Sequence, residues 1–459
     1  MVFPKIVFLA VALAAIPSTY SYWIFGGSRP VVTTRLDSIV TPGVVSTHVH
    51  SVVGGSRFQA SYDFDDLSTS QCSTIPIQQD KSNYWAPQLY YHDESAGTYT
   101  LVPTSFNIYY LMRPGPKNEN IHAFPTGLRM LAGNVLRRVN NASNFADQAI
   151  TYVCLDFDHD HSGDPAWEER PDFFQHQCPD GMRAQVFFPS CWDGKNLDSP
   201  DHQSHMAYPI QNFDSGDCPS THPVHLISLF YEMFVSVDQF PYVAGRWVYS
   251  FGDNMGLGLH ADFQDGWTDK DLLQAAVDQC ADTDGNAADC SVLSPNLNQA
   301  AASACKPEMT IPNENVGFNG VLKDLPGCNP LWVGTGPKPT CNPDPPTPDF
   351  VSVKTPLPSG WHELGCIAEG NTGRAFTNAS ETDAAMTKAV CANFCSGGGF
   401  PYAGVEFGTE CYCGSSFSNG AVNTTTIWSD CFSTCGGNPN ENCGGPNRLS
   451  VLYNPSIQS

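Results

Sequence analysis

The segment SFNIYYLMR, residues 105–113, is rich in β-branched and aromatic side chains and is followed at once by Pro114-Gly115-Pro116. The segment AITYVCLDF, residues 149–157, has the same character and runs into an Asp- and Gly-containing turn. Apolar runs of this length and composition, bounded by turn-forming residues, are typical of β-strands. The two segments therefore predict a fold built from strands.

Similar strand candidates lie on both sides of these segments, at residues 44–53, 89–91, 99–102, 127–131, 184–188, 225–237 and 246–251. One helix is predicted late in this part of the chain, over residues 269–280 (DKDLLQAAVDQC), with Thr268 as a candidate N-cap. Many strands, long irregular loops and one late helix predict a mainly β domain with a β-sandwich or jelly-roll-like architecture.

The composition and net charge of the chain exclude some classes of binding partner. The chain has 459 residues and a formal net charge of −24. Nucleic acids and anionic membranes are bound through basic patches, so this charge argues against both as partners. A chain of this length is expected to form two domains.

Residues 1–21 predict secretion. Lys5 precedes an unbroken apolar run over residues 6–16, which is too short to span a bilayer, and small residues follow it. We interpret the segment as a cleaved signal peptide, with a short membrane anchor as the alternative; after cleavage no membrane contact is expected. Eighteen cysteines in an exported chain predict disulfide bonds, and sequons at Asn141, Asn378 and Asn423 predict a glycoprotein.

The composition divides the rest of the chain into three parts. Residues 22–333 contain the strand candidates, and residues 334–358 contain eight prolines and are predicted to form an extended linker. Residues 359–455 hold eight cysteines and predict a small disulfide-rich α+β domain. In this domain a helix is predicted over residues 382–395, with Cys391 and Cys395 on one face and bonded to different partners.

Chemically active side chains are concentrated in residues 187–208. This stretch contains Asp193, Asp198, Asp201, His202 and His205 in an irregular loop after a strand. Paired carboxylates facing a cleft are what glycoside hydrolysis requires, and a histidine or tyrosine base suits a lyase. Hydrogen bonds that brace the loop are the structural alternative.

Two further pairs have i, i+2 spacing: His48 with His50, and His260 with Asp262. On strands each pair points to one face, and the pairs could converge. Two imidazoles and a third ligand can hold Zn²⁺ or copper, so His48, His50 and His260 are candidate ligands for a divalent metal. The alternative is a hydrogen-bonded polar cluster. The candidate catalytic residues are His48, His50, Asp193, Asp201, His202, His205, His260 and Asp262.

The remaining cysteines flank these candidates. Cys154, Cys178, Cys191 and Cys218 are predicted to form two disulfides, which disfavours a free nucleophilic thiol at Cys191 in an oxidising compartment. Cys72 completes an even set of six with Cys280, Cys290, Cys305, Cys328 and Cys341. Spacing alone does not give their pairing.

The C-terminal region resembles a WSC domain, named after fungal cell-wall integrity and stress-response components. The resemblance rests on GW at 360–361, LGC at 364–366, CANFC at 391–395, YAGVE at 402–406, CYCG at 411–414 and CGGPNRLSVLY at 443–453. It implies binding of cell-wall polysaccharide such as glucan, xylan or chitin. Aromatic rings that could stack on sugars are Tyr402, Phe407, Tyr412 and Trp428.

The N-terminal region resembles a family of secreted fungal proteins known as domain of unknown function 1996. The matching segments include RLD at 35–37, PGVVSTHVH at 42–50, DKSNYW at 80–85, FPSCWDG at 188–194 and HADF at 260–263. The likeness covers about residues 30–280. Ile75 stands where the family tends to have a second cysteine, which leaves the partner of Cys72 open. The resemblance implies no established chemistry.

Together these features predict a secreted, cell-wall-associated fungal protein. Its WSC domain would bind polysaccharide, and a His/Asp-rich site in the N-terminal domain would act on that polysaccharide as a hydrolase or lyase. Two alternatives stay open: a non-catalytic glycan-binding or structural wall protein, and a metal-dependent oxidative enzyme.

Overall fold

The computed structural model describes residues 21–280, 285–424, 430–431 and 433–457. The predicted signal peptide, except for Ser21, and the predicted sugar-binding residue Trp428 lie outside the described residues. Among the helices that the structure describes, none is both long and apolar enough to cross a membrane.

Short strands dominate the N-terminal part of the chain. The strands are β1 (Ser21–Ser28), β2 (Val32–Thr34), β3 (His50–Gly54), β4 (Asn83–Pro87), β5 (Leu89–Asp93), β6 (Thr98–Leu101), β7 (Thr104–Met112), β8 (Arg129–Gly133), β9 (Ile150–Cys154), β10 (Met182–Phe187), β11 (Cys191–Trp192), β12 (Met206–Ala207), β13 (Val224–His225), β14 (Ser228–Val235), β15 (Trp247–Tyr249), β16 (His260–Gln264), β17 (Gly285–Asn286) and β18 (Thr310–Pro312). The helices are α1 (Phe64–Ser68), α2 (Phe145–Gln148), α3 (Lys270–Gln279) and α4 (Gln299–Ala304), with 3₁₀ turns at Val237–Gln239, Ala287–Asp289 and Ser294–Asn296.

Two sheets enclose the main core. One has six strands in the order β17-β1-β7-β14-β10-β9, and the other has five in the order β2-β3-β4-β16-β8. Alternate residues of both sheets, such as Tyr110 and Tyr231 on one and Tyr84 and Phe263 on the other, belong to a single buried hydrophobic cluster. Burial of these large rings between the sheets drives their packing. The predicted mainly β, sandwich-like fold is confirmed.

The opposite face of the five-stranded sheet carries the site described below. Val52 and Trp85 on this face pack with Leu36, Ile39 and Phe58 from the long loops that cover it. His50, His260 and Asp262 share this face, because side chains two apart on a strand point the same way. The face is therefore a second, partly polar layer beneath a covering of loops.

Several predicted boundaries are wrong. The strand predicted over residues 44–53 begins only at His50, so His48 lies in the loop before β3. The late helix is present, but its N-cap is Asp269, whose carboxylate accepts the Leu272 N–H, and not Thr268. Thr268 instead donates its hydroxyl to the Gln79 carbonyl.

All eighteen cysteines form nine disulfides. The pairs Cys154–Cys178 and Cys191–Cys218 confirm the two predicted bridges near the candidate site and exclude a free thiol at Cys191. The other pairs are Cys72–Cys305, Cys280–Cys290, Cys328–Cys341, Cys366–Cys431, Cys391–Cys411, Cys395–Cys413 and Cys435–Cys443. Cys72 is thus paired with Cys305, 233 residues away.

The C-terminal region forms its own sheet. Its strands are β20 (His362–Ala368), β21 (Ala379–Thr382), β22 (Tyr402–Glu406), β23 (Glu410–Gly414), β24 (Thr434–Cys435), β25 (Asn438–Asn442) and β26 (Arg448–Tyr453), and its helix is α5 (Lys388–Gly397). Five strands pair in the order β20-β26-β22-β23-β21. The helix was predicted to begin at residue 382, but Thr382 ends a strand and Thr387 is the N-cap. Cys391 and Cys395 bond to Cys411 and Cys413, which confirms the separate partners expected for them.

The proline-rich segment makes contacts along its length. Cys341 is bonded to Cys328, and β19 (Phe350–Ser352) pairs antiparallel with β18. Lys354 then donates to the buried Glu308 carboxylate at 3.1 Å. The composition predicted an extended backbone, and the structure adds that this backbone is attached to the N-terminal sheet region.

Candidate functional site

Three histidines from distant parts of the sequence meet on the covered face of the five-stranded sheet. His50 opens β3 and His260 opens β16, on either side of the central strand β4, and His48 reaches them from the preceding loop. One ring nitrogen from each histidine lies within 4.8 Å of the others. The convergence expected for His48, His50 and His260 is therefore present.

The Nδ1 atom of each ring is held by a neighbour. His50 Nδ1 donates to the Leu36 carbonyl at 3.0 Å and His260 Nδ1 donates to the Gly258 carbonyl at 2.9 Å. His48 Nδ1 lies 3.0 Å from the Thr47 hydroxyl oxygen. These contacts leave Nε2 of each ring for the interior of the cluster, where His48 Nε2 and His260 Nε2 are 3.1 Å apart.

Burial keeps these imidazoles neutral. It lowers the pKa of His50 and of His260 to about 4. Burial, followed by the neighbouring imidazoles, also holds the pKa of His48 well below its usual range. Desolvation disfavours the charged imidazolium, and the neutral ring is the form whose lone pair can accept a proton or bind a metal.

The close approach of β8 to His260 requires a glycine. Gly133 pairs with His260 across the sheet and has a φ of +84°. A Cβ at this position would lie 2.8 Å from His260 Cα and 2.4 Å from the Leu259 carbonyl oxygen. Only glycine allows this backbone conformation at this spacing without strain.

Asp262 lies on the same face but is not hydrogen-bonded in the described structure. Both of its carboxylate oxygens are buried and have no partner there. Burial, and secondarily the nearby Asp37 carboxylate, raises the pKa of Asp262 well above its usual range. An unpaired buried carboxylate is costly, so this group is held in its protonated form.

Two adjoining cavities open beside the histidines. The histidine cavity, about 440 Å³, is lined by Asp37, Val40, Thr41, Ser46, Thr47, His48, Leu131, Gly133, Asn134, Val135, Leu136, Asp201, Gln203, His260 and Lys338. The loop cavity, about 410 Å³, is lined by Leu131, Ala132, Gly133, Asn134, Asn144, Ala146, Asp147, Pro189, Asp201, Gln203, Ser204, Met206 and Tyr208. Five residues line both, so the cavities adjoin, and we refer to them together as the groove.

Most of the candidates in residues 187–208 brace their own loop. The Asp193 carboxylate accepts the N–H groups of Lys195 and Asn196. His205 is buried, with Nδ1 2.8 Å from the Ser199 hydroxyl and Nε2 donating to the Arg129 carbonyl at 2.7 Å. These contacts fit the loop-bracing alternative.

His202 has the same bracing character. Its φ is +57°, in the left-handed region, and Nδ1 lies 2.8 Å from an Asp198 carboxylate oxygen. Its carbonyl accepts the Leu131 N–H at 3.1 Å, which attaches the loop to β8. The loop is thereby fixed against the strand that lines both cavities.

Asp201 is the candidate from this stretch that lines the groove. One carboxylate oxygen accepts the Ser199 and Ser204 hydroxyls at 2.8 Å and the N–H groups of Gln203 and Ser204. The Ser204 N–H and these hydroxyls hold the pKa of Asp201 well below its usual range. Asp201 is therefore ionised at the edge shared by the two cavities.

Two residues that line the groove were not among the candidates predicted from the sequence. Asp37 is buried, accepts the N–H groups of Ile39 and Val40, and lines the histidine cavity. Burial raises its pKa. Lys338 enters the same cavity from the proline-rich segment and donates to Asn329 at 2.9 Å. Nothing local marks either position, although Asp37 lies within the family-like segment RLD at 35–37.

The aromatic candidates of the C-terminal domain differ in accessibility. Phe407 is 49% exposed. The ring of Tyr402 is stacked between Phe376 and Tyr453, with centroid distances of 5.7 and 4.6 Å. The Arg374 guanidinium covers the ring of Tyr412 at 4.3 Å. Phe407 is therefore the described candidate with the most accessible ring for stacking on a sugar.

Comparison with known families now identifies both parts of the chain. A family model described as "Domain of unknown function (DUF1996)" matches residues 37–267, just over half of the chain. The chain belongs to this family. The matched region contains all three clustered histidines and every residue of the loop cavity, but the family description gives no reaction.

A WSC domain model matches residues 363–445, and WSC domains are cell-wall-associated carbohydrate-binding modules. The chain is 36% identical over 109 residues to a WSC domain-containing protein of Arthroderma benhamiae, covering 23% of this chain and 12% of that protein. It is 45% identical over 92 residues to a putative fungistatic metabolite of Chaetomium globosum, covering 19% and 39%, respectively. It is 38% identical over 96 residues to human Kremen protein 2, covering 21% and 20%.

The chain thus spans only a minor part of each of these relatives. Their likeness concerns the WSC domain. It supports a cell-wall-associated, carbohydrate-binding role for that domain.

Proposed function

We propose that the protein binds cell-wall polysaccharide through its WSC domain and acts on a glycan chain, as a hydrolase or lyase, in the groove of the N-terminal domain. The observation that carries the proposal is the groove itself. Two cavities of about 440 and 410 Å³ adjoin along Asn134, Asp201 and Gln203, beside a cluster of neutral histidines. Cavities of this size with a few converging polar groups are typical of ligand sites.

The lining suits a polyhydroxylated ligand. Side-chain amides of Asn134, Asn144 and Gln203 and the carboxylates of Asp147 and Asp201 point to a surface rich in hydrogen-bond donors and acceptors. Sugar hydroxyls are both donors and acceptors, and so can use both kinds of group.

Two carboxylates in the histidine cavity have environments that push their pKa values apart. Burial raises the pKa of Asp37, whereas hydrogen bonds lower that of Asp201. Such a pair divides the work of hydrolysis: the protonated group donates to the leaving oxygen and the ionised group acts as base or nucleophile. We assign Asp37 as the acid and Asp201 as the base, with His48 and His260 beside them in the cavity lining.

In this scheme the other candidate residues do not contact the substrate and instead hold the groove in shape. Asp193, His202 and His205 hold the loop that carries Asp201, and His50 and Asp262 lie beneath the cavity lining. The proposal therefore expects their substitution to affect the reaction by moving the loop or the sheet face.

The test is an assay of products released from fungal wall glucan, xylan and chitin by the purified chain. Asp201→Asn is compared with Asp93→Asn, because Asp93 also accepts a serine N–H and hydroxyl in an exposed turn but does not line either cavity. We expect products from the wild type and from Asp93→Asn, and a loss of at least about 100-fold in Asp201→Asn. Binding to the glycans without any products from the folded wild type would favour the non-catalytic wall protein instead.

A further inference from the structure

We propose that His48, His50 and His260 bind one divalent transition-metal ion, and that Zn²⁺ is the ion that this arrangement suits best. The ion would be held by Nε2 of each ring on the covered face of the five-stranded sheet. A role of the ion in a reaction on a glycan rests on the proposed function, whereas the binding of the ion does not.

His50 provides the first argument. Its Nδ1 donates to the Leu36 carbonyl, which can only accept, so its Nε2 carries a lone pair. That Nε2 is buried and has no hydrogen-bond partner in the described structure. A buried acceptor without a donor is costly, and a metal ion among the three rings would satisfy it.

The backbone contacts provide the second argument. Metal-binding histidines almost always donate their other ring nitrogen to a carbonyl, a carboxylate or water, which fixes the ring and its tautomer. His50 and His260 do this with the carbonyls of Leu36 and Gly258. Both rings are therefore already oriented with a lone pair facing the centre of the cluster.

The spacing agrees with a metal centre. With Zn–N bonds of about 2.0–2.1 Å, two ligands of a tetrahedral site are about 3.3 Å apart. His48 Nε2 and His260 Nε2 are 3.1 Å apart, and one ring nitrogen of each of the three histidines lies within 4.8 Å of the others. Binding of the ion would bring His50 Nε2 to the same spacing from the other two nitrogens.

Hydrogen bonding alone explains two of the three rings. A proton on His48 Nε2 would satisfy His260 Nε2, with the Thr47 hydroxyl donating to His48 Nδ1. This arrangement leaves His50 Nε2 without a donor. The partly exposed group of Asp156, His159 and His161 is different, because there both rings already contact the carboxylate, at 3.0 and 2.9 Å.

Ligand type and access favour Zn²⁺ with an open coordination position. Three neutral imidazoles suit Zn²⁺ and copper, whereas Mg²⁺ and Ca²⁺ prefer oxygen. No thiolate competes, because all cysteines are in disulfides. His48 and His260 line the histidine cavity, so a fourth ligand would come from that side. Three protein ligands and one open position are typical of catalytic zinc sites.

The experiment measures metal content without any substrate. Purified full-length chain is stripped with a chelator, loaded separately with Zn²⁺, Cu²⁺ or Co²⁺, desalted, and analysed by mass spectrometry of the elements. We expect about one tightly bound ion per chain in the wild type and its loss in His50→Gln. His205→Gln is the matched control, since His205 is equally buried and hydrogen-bonded at both nitrogens but lies outside the cluster. His161→Gln is the second control, because it removes one ring of the group formed by Asp156, His159 and His161.

The outcomes separate cleanly. One ion in the wild type and both controls, but none in folded His50→Gln, supports the site. Cu²⁺ binds imidazole sites more tightly than Zn²⁺ in general, so only retention of Cu²⁺ without any retention of Zn²⁺ would replace the ion and keep the ligands. If His50→Gln does not fold, the visible absorption of wild-type protein loaded with Co²⁺ decides, because a tetrahedral nitrogen site gives strong bands and loose surface binding does not. A folded wild type that retains no ion, or retains it equally in His50→Gln, overturns the inference. Product release is measured separately, so failure of the glycan assay leaves this result unaffected.

Discussion

Substitution of Glu363 by glutamine is expected to lower the free energy of unfolding in a pH-dependent way. One oxygen of Glu363 accepts Lys388 Nζ at 2.9 Å, and the other accepts the Gln71 side-chain amide of the N-terminal domain at 2.6 Å. Burial alone would raise the pKa of Glu363. The ammonium groups of Lys388 and Lys354, together with the hydrogen bonds, outweigh burial and lower the pKa from 4.5 to about 2.

This pKa sets the magnitude and its pH window. A fall from 4.5 to about 2 corresponds to about 3 kcal/mol, and the 20% exposure of the Glu363 side chain reduces the expected value to about 2 kcal/mol. Because the folded pKa is the lower one, the stabilisation is complete above about pH 5. It is lost as the pH falls through 4.5 towards 2, and more than half is gone at about pH 3.

Denaturant unfolding of Glu363→Gln and wild type at pH 7 and pH 3 tests this reasoning. Glu381→Gln is the control, because Glu381 is an exposed glutamate on β21 of the same domain. We expect a loss of about 2 kcal/mol at pH 7, a much smaller loss at pH 3 and no effect in the control. A loss below about 0.5 kcal/mol at pH 7, or an equal loss at both pH values, would refute the ion-pair account.

Three further changes have defined outcomes. Phe407→Ala should weaken binding to insoluble wall glycan at least several-fold in a pull-down assay, whereas Tyr412→Phe should not, because the Tyr412 ring is already covered. Replacing Cys72 and Cys305 together by serine should lower the free energy of unfolding by up to about 5 kcal/mol, since this bridge closes a loop of 233 residues; an unchanged denaturation midpoint would contradict this. Arg138→Lys should lower the free energy of unfolding by about 2 to 4 kcal/mol in the same assay, because lysine cannot keep the buried ion pair with Asp253 together with the hydrogen bonds to the carbonyls of Trp332 and Gly334. A change near zero would show that lysine can replace these contacts.

The sequence predicted the sheets well because their signal is local. Residues 105–113 and 149–157 are strand-like in composition, and β7 and β9 lie within one residue and three residues of the predicted ends. The boundary errors arise where a side-chain contact decides the start of an element. Asp269 and Thr387 each accept an N–H of the first helical turn, and this competition between neighbouring polar residues is not visible in hydrophobic periodicity.

The site was predicted in part, and the missing part depends on long-range packing. Spacing marked His48, His50 and His260, but their meeting requires the order β3-β4-β16, which the long-range pairing of β4 with β16, such as Trp85 with Asp262, creates. The density of charged residues in 187–208 singled out Asp193 and His205. In the structure Asp193 accepts N–H groups of its own loop, and His205 contacts Ser199 of that loop and the Arg129 carbonyl of β8. Local density could not distinguish a bracing group from one that faces a cavity.

The contacts of the proline-rich segment bear on how the two domains would work together under the proposed function. A freely flexible spacer would let the groove sample all positions within the length of the spacer around a glycan that the WSC domain binds. This would raise the effective concentration of the groove near the glycan without favouring any one position. Here β19 pairs with β18, and the side-chain amide of Asn438 in the WSC domain donates a hydrogen bond to the Thr355 hydroxyl oxygen at 3.1 Å. Gln71 and Glu363 add a direct contact between the domains. A glycan strand held by the WSC domain would then meet the groove at one preferred distance, so the two sites would act on the same strand only when its length and direction match that spacing.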